Sequence, residues 1–215
     1  MADQITRLFC LALRHKPELF GIEIDRDGWT DLKSLLEKAA FHSPALDFSE
    51  PFIRAYLGAQ EEERFELTDN RIRALYGHSL SHVSVGTVAV PPPLLFHATR
   101  SLLLPKIRAE GLVSKGRTGV HLTSRWSYAL AVKDSHTRRG QRGIILAIKG
   151  EETRFKGVLF QQATTHIWLS PYLPARFLYV VPNNTESPSP RTFIPIDSNE
   201  GRAILRGNLL VFSDD

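Results

Sequence analysis

The chain has 215 residues, 42% apolar and 23% charged, with a formal net charge of +4. That is the composition of an ordinary folded protein, long enough for one large unit or two small ones with real cores. Its single cysteine, Cys10, excludes an internal disulfide and fits a reducing compartment. The N-terminus has neither a leader pattern nor a membrane-length apolar run, so the expected setting is cytoplasmic, away from any membrane.

Charge is unevenly distributed. Residues 1–80 hold 10 Lys+Arg against 14 Asp+Glu, whereas residues 81–215 hold 17 against 9. A basic second half suits a phosphate-rich ligand such as a nucleotide or RNA.

In chain order, Ile5, Leu8, Phe9, Ala12 and Leu13 recur at helical spacing over residues 4–15, and Pro17 ends that helix. Arg14 and His15 therefore fall at a helix C-terminus. There they either complement the dipole as surface residues or offer two cationic donors. Residues 21–25 alternate like a short strand, and Arg26-Asp27-Gly28 signals a turn. A second helix is expected over 32–40, capped by Thr30 or Asp31, and a third over 50–57. Residues 63–67 and 71–75 read as a hairpin turning at Asp69-Asn70. Three helices followed by a hairpin is the order of a winged-helix domain. The Ser/Val/Gly-rich stretch 81–93 ends in Pro91-Pro92-Pro93, a stiff connector, and divides the chain into units 1–80 and 94–215.

The second unit opens with Leu94-Leu95-Phe96-His97-Ala98-Thr99 and, after a helix over 101–111 stopped by Gly111, Val120-His121-Leu122-Thr123. Each histidine is read as ending an apolar strand, with a threonine two residues on. Such side chains can offer ring nitrogens and hydroxyls to a sugar or an amide, or can simply close a sheet. A helix is expected over 124–133 with Ser124 as cap, then a basic loop 136–142, then a strand over 144–148. Residues 159–160, 166–169 and 177–181 are further strand candidates. Residues 183–191 read as a loop, and 193–212 as a tail that adds a strand. The scattered histidines and lone cysteine lack metal-ligand spacing, and no phosphate-binding glycine loop is present.

Taken together, several short motifs resemble the NAD-dependent RNA 2′-phosphotransferase family known from tRNA splicing. They are Leu13-Arg14-His15-Lys16-Pro17-Glu18, Asp25 to Trp29, Arg64-Phe65, Gly77-His78-Ser79, His97-Ala98-Thr99, Val120-His121-Leu122-Thr123 and Trp168-Leu169. They run in register over residues 5–182. The resemblance implies an α+β protein, with an N-terminal winged-helix lobe and a C-terminal lobe of the ADP-ribosyltransferase fold. It implies NAD as a consumed co-substrate and RNA carrying an internal 2′-phosphate as partner; no metal is expected, and a monomer is the default.

The same resemblance implies an Arg-His-Arg-Arg tetrad at Arg14, His15, Arg64 and Arg138, with Arg139 as the alternative to Arg138. Guanidinium forks suit a dianionic phosphate, and His15 is the member able to donate or accept a proton near neutrality. Clamping of the RNA phosphate between the lobes is implied too. His97, Thr99, His121 and Thr123 match the NAD-holding motifs. Ile167 stands where protein-modifying relatives carry an acid, and His78 and Ser79 are placed beside cofactor or substrate. The chain departs from the family pattern at Ala98, at Thr165-His166 and at Gln60-Glu61-Glu62-Glu63, whose carboxylates repel phosphates. Two other functions use the same residues: ADP-ribosylation of a terminal phosphate on nucleic acid, and RNA binding without catalysis.

Overall fold

In the computed structural model, which describes residues 2–182 and 188–198, helix α1 (Ala2–Arg14) buries Ile5, Phe9, Ala12 and Leu13 on one face. After a short 3₁₀ turn, Pro17–Phe20, come β1 (Trp29–Asp31), α2 (Leu32–His42), α3 (Glu50–Gly58), β2 (Phe65–Leu67) and β3 (Arg71–Ala74). Asp31 caps α2, its carboxylate accepting from the Ser34 N–H at 2.7 Å, so of the two expected caps it is Asp31 that acts. The strands form an antiparallel sheet in the order β1-β3-β2, with Thr30 opposite Ile72 and Phe65 opposite Ala74. The helices pack on it through Phe9, Leu13, Leu32, Leu35, Ile53 and Ile72.

Residues 21–25, expected as a strand, are irregular, and the strand of this region is Trp29–Asp31. The backbone of 21–25 is satisfied locally. The Ile22 N–H donates to the Pro17 carbonyl, and the Ile24 carbonyl accepts from the His82 ring. Asp25 folds the chain back on itself by accepting from the N–H groups of Asp27 and Trp29 and by pairing with Arg71.

The chain divides into two compact units. The first runs to Thr87 and also includes Lys115–Thr118; the second comprises Val88–Ser114 and the chain from Gly119 onward. The passage between them coincides with a two-residue strand, β4 (Thr87–Val88). The second unit contains β5 (Leu94–Arg100), α4 (Leu104–Glu110), β6 (Leu112–Val113), β7 (Val120–Thr123), α5 (Trp126–Arg138) and β8 (Gly143–Lys149). These are followed by α6 (Gly150–Phe155), β9 (Gln161–Gln162), β10 (Ile167–Ser170), β11 (Tyr172–Leu173), β12 (Tyr179–Val181) and β13 (Ile194–Pro195). The main sheet has the order β13-β12-β8-β5-β7-β10-β9-β4, antiparallel from β13 through β9, and β6 pairs separately with β11.

β8 is buried along both faces, because apolar clusters cover the sheet on both sides. One face holds Leu95, Leu122, Leu146 and Trp168; the other holds Phe96, Ile145 and Ala147 beneath Ala129 and Trp126 of α5. The molecule is thus α+β.

Several sequence expectations shift here. His97 is the fourth of seven residues in β5, so the strand runs on past it, to Arg100. Ser124 does not cap α5: its hydroxyl lies 3.4 Å from the His166 ring, and the helix starts after Arg125. The expected basic loop is partly helix, since α5 continues to Arg138 and is closed by Gly140 at φ 71°. Residues 159–160 are not a strand; the ladder forms one step later, at Gln161–Gln162. Residues 175–177 form a 3₁₀ turn ahead of β12. Of the tail, Ile194–Pro195 is a strand, while residues 183–187 and 199–212 lie outside the described residues.

Candidate functional site

In the first unit, the end of α1 meets the segment that follows β3. Arg14 closes the helix, and its guanidinium lies over the Tyr76 ring at 4.8 Å and near the Phe65 ring at 5.6 Å. Its Nε and Nη2 are buried without a hydrogen-bond partner. Buried guanidinium donors left unmatched are costly, on the order of 1–3 kcal/mol each, so the arrangement suits an anion that would accept from them.

Gly77 makes that packing possible. It sits at φ 88°, and a Cβ there would come within 3.1 Å of Arg14 Nη1. The next two residues fasten the helix end. The Ser79 N–H donates to the Arg14 carbonyl at 2.9 Å, and Ser79 Oγ is 3.1 Å from His15 Nδ1. His78 is fully buried, with Nε2–H donating to the Ala74 carbonyl at 2.9 Å. Its ring is therefore a strut inside the unit. Arg64 immediately precedes β2, and its carbonyl accepts from the Leu75 N–H at 3.0 Å, two residues before Gly77.

The segment Lys115–Thr118 adds a further cation. The Thr118 N–H donates to the His78 carbonyl at 3.0 Å, anchoring the segment to this unit. Burial first, then the charges of Arg117 and Arg14, hold the His15 pKa below the ordinary histidine value. Burial likewise lowers the pKa of His78, helped by Arg14, His15 and His82 and opposed by the bond to Ala74. The structure thus gathers Arg14, His15, His78, Ser79 and Arg117.

Arg138 and Arg139 are exposed, at the end of α5 in the second unit. There burial, Arg100 and Arg139 lower the pKa of His136.

In the second unit the two His-x-Thr pairs share neighbouring strands but not one face. Phe96 is opposite Thr123, and Thr123 is opposite Ile167, so Thr123, Ile167 and His121 lie on the face covered by α5. His97 and Thr99 alternate with Phe96 and Ala98 and fall on the other face. The pairs are tied across the strands: His97 Nδ1–H donates to the His121 carbonyl at 2.8 Å. Thr123 Oγ accepts from the Arg125 N–H at 3.1 Å, which leaves its proton available to an acceptor. Ile167 is buried, and its N–H donates to Thr164. Ring nitrogens and hydroxyls of this kind suit a hydroxyl- and amide-bearing ligand, and among the described residues no group of three or more His, Cys, Asp or Glu could hold a metal ion.

Residues 2–172 match the RNA 2′-phosphotransferase, Tpt1 / KptA family. The chain belongs to this family. It is 38% identical, over 82% of its length and 95% of the relative's, to a probable RNA 2′-phosphotransferase of Pseudomonas aeruginosa strain UCBPP-PA14. A protein of the same name from Burkholderia pseudomallei is 33% identical over 83% of this chain and 95% of its own length. Another, from Acetivibrio thermocellus, is 29% identical, with 82% and 95% covered. Membership makes the chain an enzyme of the transferase class, with RNA as the substrate the family name implies.

For this RNA 2′-phosphotransferase family member, sequence reasoning missed Arg117. A signal was present: Lys115-Gly116-Arg117 is a basic turn directly ahead of the Val120-His121 strand. Nothing in that pattern, however, says that the turn joins the first unit.

Proposed function

We propose that the chain removes an internal 2′-monophosphate from RNA at the expense of NAD. The observation that carries this reading is the guanidinium of Arg14, with Nε and Nη2 buried and unmatched, beside His15, whose pKa is lowered by burial and by the charges of Arg117 and Arg14. In a family of RNA 2′-phosphotransferases, the anion that fits is the 2′-phosphate. Arg14, Arg64 and Arg117 are the phosphate-holding arginines in this reading. Arg117 takes the fourth place of the tetrad in this reading, with Arg138 as the alternative, because the charge of Arg117 as well as that of Arg14 acts on His15.

NAD supplies a ribose carbon activated by its nicotinamide leaving group. His97, Thr99, His121 and Thr123, with apolar Ile167, fit a sugar and an amide, and we assign them that role. The RNA phosphate displaces nicotinamide to give a 2′-phospho-ADP-ribosylated RNA. The ribose O2″ then attacks the phosphorus and frees the RNA 2′-OH together with ADP-ribose 1″,2″-cyclic phosphate. Arginines around the phosphate stabilise the charge that develops, by several kcal/mol in comparable sites.

Within this proposal the first unit is a winged-helix lobe, supported by its three helices and three-stranded sheet, and the second is of the ADP-ribosyltransferase type. A monomer working in the cytoplasm on tRNA-like or other 2′-phosphorylated RNA completes the reading. No helix among the described residues is long and apolar enough to cross a membrane.

The test is incubation with NAD and a short RNA carrying one labelled internal 2′-phosphate. Label recovered as ADP-ribose cyclic phosphate is the expected result. Label held on ADP-ribosylated RNA would mean that only the first step operates, and untouched NAD would remove the proposal.

A further inference from the structure

We propose that Ser79 is a positioning residue that fixes His15 as the Nδ1–H tautomer and so leaves Nε2 as a proton acceptor. The inference rests on the reading above for its use in catalysis, but not for its geometry.

Ser79 Oγ has one proton, and the oxygen lies 3.3 Å from the Arg14 carbonyl, which can only accept, and 3.1 Å from His15 Nδ1. Both contacts are hydrogen bonds only if the hydroxyl donates to the carbonyl and Nδ1–H donates to the hydroxyl. The Ser79 backbone holds the hydroxyl there, since its N–H donates to the same Arg14 carbonyl at 2.9 Å. Of the two forms that carry a proton on Nδ1, the cation is disfavoured. His15 is partly buried, the charges facing it are Arg14 and Arg117, and its titratable neighbour His78 is a base as well. Neutral Nδ1–H imidazole remains, with its lone pair on Nε2.

The neighbouring histidine shows that the local frame, and not an intrinsic preference, decides. His78 donates from Nε2 to the Ala74 carbonyl, and so it is the opposite tautomer.

The consequence belongs to the second step. As the ribose O2″ forms its bond to phosphorus, its proton passes to His15 Nε2. The bond between phosphorus and the RNA O2′ breaks, and the departing O2′ takes that proton back from Nε2–H. His15 ends as it began, and no further reactant is needed. A His15 carrying its proton on Nε2 could not start this sequence.

The experiment is nitrogen NMR of the full chain, labelled at histidine and read at about pH 7.5, with Ser79→Ala and Ser79→Thr variants beside the wild type. The expected wild-type spectrum has His15 protonated at Nδ1 and bare at Nε2. Ser79→Ala moves the proton toward Nε2 and lowers kcat by about 10²-fold, the lower end of what a general base contributes. Its KM for NAD stays where it was, and Ser79→Thr, which keeps the hydroxyl, retains most of kcat.

A wild-type His15 protonated at Nε2 overturns the proposal. So does an unchanged tautomer in Ser79→Ala, whatever happens to kcat. If Ser79→Ala does not fold, the wild-type spectrum alone decides. The spectrum needs no substrate, so a protein that shows the expected tautomer yet leaves 2′-phosphorylated RNA untouched would refute the function and spare the positioning.

Discussion

The two units prepare their chemistry differently. In the first, the side chains of interest are locked by backbone: Ser79 and Thr118 N–H groups fasten the Arg14 and His78 carbonyls, and Gly77 gives up its side chain to the guanidinium. In the second, the candidate ligands ride on strands of one sheet, split between its faces, with a His97–His121 bond between the pairs. A charged, compact ligand such as a phosphate rewards a rigid cradle, because reorganising donors at the moment of reaction costs rate. A long, mostly neutral ligand gains more from contacts distributed along strands.

That contrast can be broken at several points. The largest effect is expected from Arg117→Ala and Arg64→Ala, each lowering turnover by at least ~10²-fold. Arg138→Ala, on the exposed end of α5, should cost about ten-fold at most, since that helix end lacks the buried, interlocked setting. The reverse order of effects would return the tetrad position to Arg138.

Gly77→Ala comes next. It combines a positive φ with a Cβ close to Arg14, and should destabilise by about 1–3 kcal/mol, read as a lower Tm. An unchanged Tm would mean that the cradle is softer than described.

Thr123→Val sharpens the second region. It removes a hydroxyl that has a proton to give, and should raise the KM for NAD about ten-fold with little change in Tm. A KM that does not move takes Thr123 out of the ligand set.

The smallest effect is in pH. The folded pKa of His78 lies below its unfolded value of 6.5, chiefly through burial, so below about pH 6.5 the unfolded chain binds a proton that the folded one refuses. Stability from this group is therefore complete above pH 6.5 and lost as pH falls further. His15 adds in the same direction. Tm should drop between about pH 7.5 and 5.5, and His78→Gln should flatten that slope; an equal slope in the variant would shift the effect to other groups.

The periodic helices were legible because their apolar faces are their packing faces: Ile5, Phe9 and Leu13 in α1, or Leu32, Leu35 and Leu36 in α2. The hairpin was legible from its turn residues. Residues 21–25 were misread because alternation describes burial and cannot tell whether a neighbouring strand exists to pair with. The His-x-Thr pairs were correctly placed on strands, yet their split between faces depends on which residues stand opposite, Phe96 with Thr123, and register is a property of two strands together. Arg14, His15 and Ser79 were all singled out from motifs, but their mutual hydrogen bonds span more than sixty residues. Arg117 escaped for the same reason: its partners are remote in sequence.

The excursion of Lys115–Thr118 bears on inheritance and dissection. A fragment ending at Thr87 would carry Arg14, His15 and Ser79, but neither Arg117, whose charge acts on His15 together with that of Arg14, nor the N–H that holds the His78 carbonyl. Those are encoded inside the other unit's stretch of chain. Recombination that exchanges the second stretch with a relative's therefore replaces a cation of the first, so the two stretches cannot be traded as independent cassettes.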